Sequence, residues 1–174
     1  THIQNNIATV EFYHPAGNSF PAELLQRLET TFNELSSNDA VHIIVLKSEK
    51  DKAFCAGASF DELISINSME EGTAFFMGFA NVINDMRTCT KLIIGRVQGK
   101  VVGGGVGLVA ACDYCFATEQ AAIKLSEFSI GIGPFVIAPV VERKIGLAGL
   151  SELTLDATSW QNAYWAKTKG LYAK

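Results

Sequence analysis

A run of three glycines, Gly103 to Gly105, separates the apolar pair Val101 and Val102 from the apolar segment 106–111. A flexible linker is not flanked by apolar segments on both sides, so these glycines belong to a folded turn. Backbone without side chains can approach a ligand closely, and this turn would lie at a helix N-terminus, where N–H groups and the helix dipole favour negative charge. The glycine turn is therefore a candidate site for an oxyanion, the charge that develops on a carbonyl oxygen during a reaction.

A second turn of the same kind precedes it in the chain. Residues 55–58 are followed by Ser59 and Glu62, whose S-x-x-E spacing is that of a capping box and predicts a helix that begins just after Ala58. Backbone N–H groups from the two turns could converge on one developing oxyanion. The pattern alone leaves a second interpretation open, in which both are simply tight turns.

Glu127 is a carboxylate in apolar surroundings. Its neighbours along the chain include Leu125, Phe128 and Ile130, whereas glutamate is usually exposed. Burial disfavours the charged form of a carboxyl group, and enzymes prepare such groups for proton transfer in this way. Glu127 is therefore a candidate acid and base, and a surface carboxylate is the alternative.

Other chemistries find less support. A dinucleotide fingerprint would need a small residue where Leu108 stands, and the sequence has no phosphate loop. Cys112 and Cys115 have the spacing of redox and zinc sites, but no second C-x-x-C or histidine pair completes a tetrahedral site, so no metal is expected. A Ser-His-Asp hydrolase is the natural rival, yet no G-x-S-x-G motif occurs, and the histidines are interpreted as structural.

Composition indicates a single soluble domain spanning residues 1–174. The net charge of −4 gives no electrostatic footprint for nucleic acid, and the apolar stretches are shorter than the ~20 residues that a membrane span needs. The N-terminal residues lack the basic and apolar regions of a secretory signal, so the cytoplasm is the expected compartment. The four cysteines are too few for a disulfide scaffold and are expected to be reduced.

The elements that must position these residues alternate between strands and helices. Apolar or alternating segments predict strands at 7–13, 41–46, 92–97 and 114–117. Leucine and phenylalanine recur at helical spacing between Pro21 and Leu35, and helical segments are expected from Val136 to Lys169.

Together these residues resemble the enoyl-CoA hydratase/isomerase family, also called the crotonase superfamily. The resemblance covers nearly the whole chain and rests on segments that are specific only in combination: 18–20, 52–58, 103–113 and 125–131. A bacterial subgroup described as methylglutaconyl-CoA hydratases is the most similar. The resemblance implies an α/β fold, in which strand–strand–helix turns stack as a superhelix.

The resemblance also implies roles for individual residues. Ala58 and Gly104 would supply the oxyanion N–H groups for a thioester carbonyl, and Glu127 would be the catalytic glutamate. The residues expected to contact the substrate are Ala56, Lys52 and Gly105. Coenzyme A would enter as part of the acyl-CoA substrate, and no separate cofactor is expected.

One position departs from the family pattern. Many hydratases of the family carry a second catalytic glutamate two residues after the third glycine, where this chain has Gly107. Asp61 or Glu62 would be the nearest substitutes, and a carboxylate on the substrate could help to hold the water. Hydration of an α,β-unsaturated acyl-CoA is the first hypothesis. Double-bond isomerisation and a non-catalytic acyl-CoA-binding scaffold are the alternatives.

The resemblance finally implies a helical region that follows the segment 157–172, covers the acyl pocket and builds trimers or hexamers. The chain is therefore expected to lack part of its C-terminal region. At full length it is expected to form a homo-trimer or hexamer that acts in fatty acid metabolism.

Overall fold

The computed structural model of the chain describes residues 1–49 and 53–174. The strands of the first sheet, in spatial order, are β1 (His2–Gln4), β2 (Ile7–Phe12), β3 (Ile43–Ser48), β5 (Leu92–Val97) and β7 (Tyr114–Ala117). Those of the second sheet are β4 (Ala53–Cys55), β6 (Lys100–Val102), β8 (Ala122–Lys124) and β9 (Gln161–Asn162). The helices are α1 (Ala22–Ser36), α2 (Phe60–Ser65), α3 (Met69–Thr88), α4 (Gly104–Ala111), α5 (Ala138–Leu155) and α6 (Ala163–Lys169), with a 3-10 helix at Glu127–Ile130.

Successive turns of the chain add one strand to each sheet. The pairs β3 and β4, β5 and β6, and β7 and β8 follow one another, and the added strands are parallel within each sheet. The register places Val45 beside Ile94 in the first sheet and Val101 beside Ile123 in the second. Parallel strands that are covered on both faces have continuous apolar runs, which is why the central strands could be recognised in the sequence. This arrangement confirms the predicted α/β superhelix.

The start of β3 differs from the prediction. The strand begins at Ile43 rather than at Val41, and His42 is exposed. The N–H of His42 donates to the carbonyl of Asn6 at 2.8 Å. Asn5 and Asn6 have φ angles of 51° and 62°, and two left-handed residues form the turn of a tight hairpin. This hairpin adds the antiparallel strand β1, which was not predicted, to the edge of the first sheet.

Helix α3 was also not predicted. Its first turn is capped by Ser68, whose Oγ accepts from the N–H of Glu71 at 3.1 Å. The buried residues of α3, which include Phe79 and Ile83, face the core. The helix packs against α1 and α4, so it forms one side of the space in front of the glycine turn.

Aromatic packing fixes the segment that precedes α1. The ring of Phe12 lies 4.8 Å from that of Phe20 and 5.3 Å from that of Phe54, measured between centroids. Phe20 in turn contacts Phe79 of α3 at 5.9 Å. These contacts hold the ring of Phe20 between β2 and α3, and its backbone pairs with the turn that contains Ala58. Along the described ranges, no helix is both long and apolar enough to cross a membrane.

Candidate active site

The two predicted turns meet at Gly57. A Cβ atom on Gly57 would lie 3.1 Å from the carbonyl oxygen of Val102 and 3.6 Å from the nitrogen of Gly104. The φ angle of Gly57 is 91°, which residues with side chains rarely adopt. Both the conformation and the close approach therefore require glycine, and the contact brings the Ala58 turn beside the N-terminus of α4.

The N–H group of Ala58 is available to a ligand. Ala58 forms an isolated parallel bridge with Phe20, in which Phe20 donates to the carbonyl of Gly57 at 2.8 Å. Ser59 donates to the carbonyl of Phe20 at 3.1 Å. Because N–H groups alternate in direction along an extended chain, the N–H of Ala58 points away from Phe20. No acceptor for it is found within residues 1–49 and 53–174.

Gly104 is the first residue of α4, and its N–H is one of the first-turn groups that have no partner inside a helix. Gly103, with a φ angle of 52°, turns the chain from β6 into this helix. The N–H of Gly103 donates to the carbonyl of Lys124 at 3.0 Å. That bond ties the glycine turn to β8, the strand that leads to Glu127.

Glu127 lies over the glycine turn. A Cβ atom on Gly103 would be 2.9 Å from Oε1 of Glu127. Its Oε2 is buried and has no hydrogen-bond partner among the residues that the structure describes. Burial raises the pKa of the Glu127 carboxyl above its ordinary value, and the hydrogen bond from its own backbone N–H opposes the rise. The predicted direction of this pKa is confirmed, although Phe128 and Ile130 are themselves exposed.

One cavity of about 180 Å³ is lined by Ala58, Gly104 and Glu127. In the described part of the lining, Glu127 is the only titratable side chain and Ser126 the only other polar one. The apolar side chains of the wall are Phe60, Leu63, Phe75, Phe76, Phe79, Val102, Ile130, Ile132, Pro134, Val136 and Ile137. An apolar space with a few convergent polar groups is the usual form of a small-molecule site.

The residues predicted to contact the substrate have different positions. Ala56 lines the cavity. Gly105 does not: a Cβ atom on it would be 2.8 Å from the Cβ and 2.9 Å from the Sγ of Cys55, so its position is explained by packing of α4 on β4. Lys52 lies outside the described residues. The cavity therefore contains Ala56, Ala58, Gly104 and Glu127 of the residues proposed from the sequence.

Gly107 occupies the sequence position at which many hydratases of the family carry a second glutamate. A Cβ atom on Gly107 would lie 2.5 Å from Cγ2 of Ile137 and 3.0 Å from Cδ1 of Ile83. The proposed substitutes do not line the cavity either. Glu62 accepts the first backbone N–H of α1 with both oxygens, at 3.0 and 3.2 Å, and Asp61 is exposed. The structure therefore does not place either of these two residues where it could replace the missing glutamate.

The phenylalanines of α3 are the part of the site that sequence reasoning missed. Phe79 packs on the glycine turn, where a Cβ atom on Gly104 would be 2.6 Å from its ring. Phe75 and Phe76 line the cavity beside it. A signal was present, because the capping pair that begins α3 has the same S-x-x-E spacing that predicted α2.

The cysteine pair does not form part of the site. Cys112 and Cys115 are buried and unpaired, and each Sγ donates to a carbonyl of α4 at 3.4 Å. Neither residue lines the cavity, and neither does any histidine. In the described ranges, no group of three or more histidine, cysteine, aspartate or glutamate side chains could hold a metal ion.

Comparison with known proteins extends the resemblance to the whole chain. The sequence profile of the family Enoyl-CoA hydratase/isomerase matches residues 2–174. The mitochondrial methylglutaconyl-CoA hydratase of Rattus norvegicus is 33% identical over 141 residues, which are 80% of this chain and 44% of that protein. The short-chain-enoyl-CoA hydratase of Clostridium acetobutylicum is 26% identical over 156 residues, which are 88% of this chain and 59% of that protein. The chain thus spans about half the length of these curated relatives.

A solved structure gives the same result for the fold. The enoyl-CoA hydratase of Mycobacterium smegmatis superimposes with a TM-score of 0.93 at 25% identity, over 99% of this chain and 66% of that one. Both the fold class and the resemblance predicted from the sequence are confirmed. Because the family profile matches almost every residue and the superhelix is shared, the chain belongs to the enoyl-CoA hydratase/isomerase family.

Proposed function

We propose that this site stabilises the enolate of an acyl thioester and transfers a proton to or from it. The supporting observation is the position of Glu127, whose buried and unpartnered Oε2 belongs to a carboxylate lying over the glycine turn. The thioester carbonyl would accept hydrogen bonds from the N–H groups of Ala58 and Gly104, which stabilise the negative charge that its oxygen gains. The acyl chain would occupy the apolar cavity.

Hydration of an α,β-unsaturated acyl-CoA is the reaction that we propose first, because the two curated relatives named above are hydratases. The Glu127 carboxylate takes a proton from water while the water oxygen bonds to the β-carbon. The C=C electrons move toward the carbonyl and form the enolate between the two N–H donors. The protonated Glu127 then delivers its proton to the α-carbon, which yields a β-hydroxyacyl thioester and restores the carboxylate.

Double-bond isomerisation is the second candidate, and the packing of Ile137 on Gly107 favours it. Isomerisation needs only one carboxylate, which removes a proton from the α-carbon and returns it to the γ-carbon of the dienolate. Hydration by one carboxylate also requires that Glu127 hold the water by itself. The two reactions share the oxyanion donors and differ in whether water enters the cavity.

Isotopic labelling distinguishes these reactions. Crotonyl-CoA and a β,γ-unsaturated acyl-CoA are incubated with the protein in ¹⁸O-labelled water, and α-proton exchange is followed in D₂O. We expect ¹⁸O in a β-hydroxyacyl product. An unlabelled product with a shifted double bond would establish isomerisation instead. Binding of acyl-CoA with no product and no α-proton exchange would refute both reactions and leave the non-catalytic scaffold.

We further propose coenzyme A as the carrier of the thioester, without a separate cofactor, because the names of both curated relatives specify CoA substrates. A homo-trimer or hexamer remains our prediction for the whole protein, as do a cytoplasmic location and a contact between Lys52 and the coenzyme. Sedimentation of the purified protein tests the oligomeric state.

A further inference from the structure

We infer that this cavity prefers an acyl group that is an uncharged hydrocarbon, and that acyl groups ending in a carboxylate bind much more weakly. The inference deepens the proposed function and rests on it for the position of the thioester carbonyl. It concerns the wall of the cavity beyond Glu127, where the acyl chain would lie.

The charge of the cavity is the first support. None of the described residues that line it carries a positive charge, and Glu127 is the only acid among them. A carboxylate moved from water into such a space loses its hydration without gaining a cation, which is strongly unfavourable. It would also share the cavity with the Glu127 carboxylate, and two like charges in a poorly solvated site repel one another.

The aromatic side of the cavity is the second support. Phe79 packs directly on Gly104, so the part of the acyl group next to the carbonyl would contact its ring. Phe75 and Phe76 stack edge to face, with centroids 5.2 Å apart and ring planes at 86°. Phe60 is 60% exposed and Phe76 38% exposed although both line the cavity. A hydrocarbon group would cover these rings and could add further edge-to-face contacts.

This inference separates the chain from one of its relatives. The name of the rat protein specifies methylglutaconyl-CoA, whose acyl group ends in a carboxylate. The sequence-based hypothesis was that such a carboxylate would help to hold the attacking water. The described lining offers no partner for a substrate carboxylate, so the structure argues against that hypothesis.

Binding of two saturated thioesters of similar shape tests the inference without any turnover. In 3-methylglutaryl-CoA the acyl chain ends in a carboxylate, and in 3,5-dimethylhexanoyl-CoA an isopropyl group replaces it. We expect calorimetry to give binding of the uncharged thioester at least about 100-fold tighter, because the carboxylate must be desolvated without a partner. Equal or tighter binding of 3-methylglutaryl-CoA would overturn the inference.

A cation placed in the wall should weaken the preference for the uncharged thioester. Phe76→Arg introduces a guanidinium into the lining at a partly exposed position and should narrow the ratio of the two affinities by about tenfold or more, since arginine pairs well with carboxylates. Met77→Arg is the matched control, because Met77 is 44% exposed and does not line the cavity. If the ratio of the two affinities narrows equally in both variants, the added positive charge acts on binding in general rather than through the cavity wall. That outcome would count against the inference.

Turnover of the unsaturated counterparts separates the two proposals. If the protein binds the uncharged thioester more tightly but converts neither unsaturated compound and exchanges no α-proton, the proposed function fails and the cavity preference stands. If it converts 3-methylglutaconyl-CoA at least as efficiently as 3,5-dimethylhex-2-enoyl-CoA, the proposed function stands and the inference fails.

Discussion

Ile137 fills the space that a side chain at position 107 would need. A Cβ atom on Gly107 would be 2.5 Å from Cγ2 and 2.9 Å from Cβ of Ile137. Ile137 also lines the cavity, at the start of α5. Gly107 and Ile137 thus form a packed pair, and a glutamate at position 107 would require Ile137 to move or to be replaced.

The first prediction concerns this pair. Gly107→Glu alone should destabilise the protein by about 1–3 kcal/mol or more, because the core is overpacked at that point, and it should not increase hydration. Gly107→Glu combined with Ile137→Ala should recover part of this stability and raise the fraction of ¹⁸O-labelled hydration product. Urea unfolding measures the first effect and mass spectrometry the second.

Ile137→Ala alone is the control for that cycle. It should cost about 2–5 kcal/mol as a core truncation. If the effects of the two substitutions on stability simply add, Ile137 and Gly107 do not interact as the distances indicate.

The second prediction isolates the N–H group of Gly104. Any Cβ atom at this position meets the ring of Phe79, so Gly104→Ala and Gly104→Pro share the crowding of that atom, and proline adds its ring carbons. Only proline removes the N–H donor. Gly104→Pro should therefore lose a further ~10²–10³-fold in kcat relative to Gly104→Ala, the usual effect of deleting one oxyanion donor. Circular dichroism checks that both variants are folded, and equal residual rates would refute the role of this N–H.

The third prediction concerns the carboxylate. Glu127→Gln keeps the shape of the side chain but removes the acid and base, and turnover should fall by about 10²–10⁴-fold while binding of saturated acyl-CoA is retained. Glu142→Gln, at an exposed position in α5, should have the activity of the unmodified protein. An unmodified rate in Glu127→Gln would exclude Glu127 as the catalyst.

The dependence of kcat/KM on pH should also report the ionisation of Glu127. Burial raises the pKa of Glu127 above its ordinary 4.5, and the proposed reactions begin with its ionised form. The kcat/KM of the unmodified protein should therefore fall as pH decreases through this raised pKa. The residual activity of Glu127→Gln should not show this fall at low pH. A fall that persists in the variant would be due to another titratable group.

The fourth prediction concerns stability. Because the pKa of Glu127 is higher in the folded than in the unfolded protein, the folded state binds the proton more tightly. This tighter proton binding adds to the free energy of unfolding. The contribution is fully present below the pKa that Glu127 has in the unfolded protein, and it is lost as pH rises through its pKa in the folded protein. Glutamine does not ionise, so the Tm of Glu127→Gln should exceed that of the unmodified protein at neutral pH. The difference should shrink below about pH 4, where the ordinary glutamate is protonated. A difference in Tm that does not vary with pH would show that the ionisation of Glu127 does not affect the stability of the folded protein.

Local signals made much of the fold and part of the site predictable from the sequence. Glycine at position 103 was recognisable because its turn lies between apolar segments, and Ser59 because it stands three residues before Glu62 in the S-x-x-E spacing of a helix cap. In the structure the Oγ of Ser59 accepts the N–H of Glu62 at 3.3 Å. The side chain of Glu62, by contrast, reaches the N-terminus of α1 rather than closing the capping box. Its partner is 40 residues away in the sequence, and nothing local indicates such a contact.

The features that could not be predicted from the sequence depend on contacts between segments that are distant in the chain. The close approach of Gly57 to Val102 and the packing of Ile137 on Gly107 depend on how successive turns of the superhelix stack. No pattern within either segment specifies its partner. Helix α3 had a local signal in its cap, but its role as the aromatic wall depends on where it packs, against α1 and α4.

The contact between Gly57 and the Val102–Gly104 turn has a consequence for how such a protein can diverge. Backbone packed against backbone fixes the two turns that hold the proposed N–H donors, those of Ala58 and Gly104. The apolar wall of the cavity consists instead of side chains that extend from other elements. Mutations can therefore alter the wall repeatedly without moving the donors. If the proposed function holds, a lineage built on this fold can change the compounds it accepts while it keeps the same enolate-forming step.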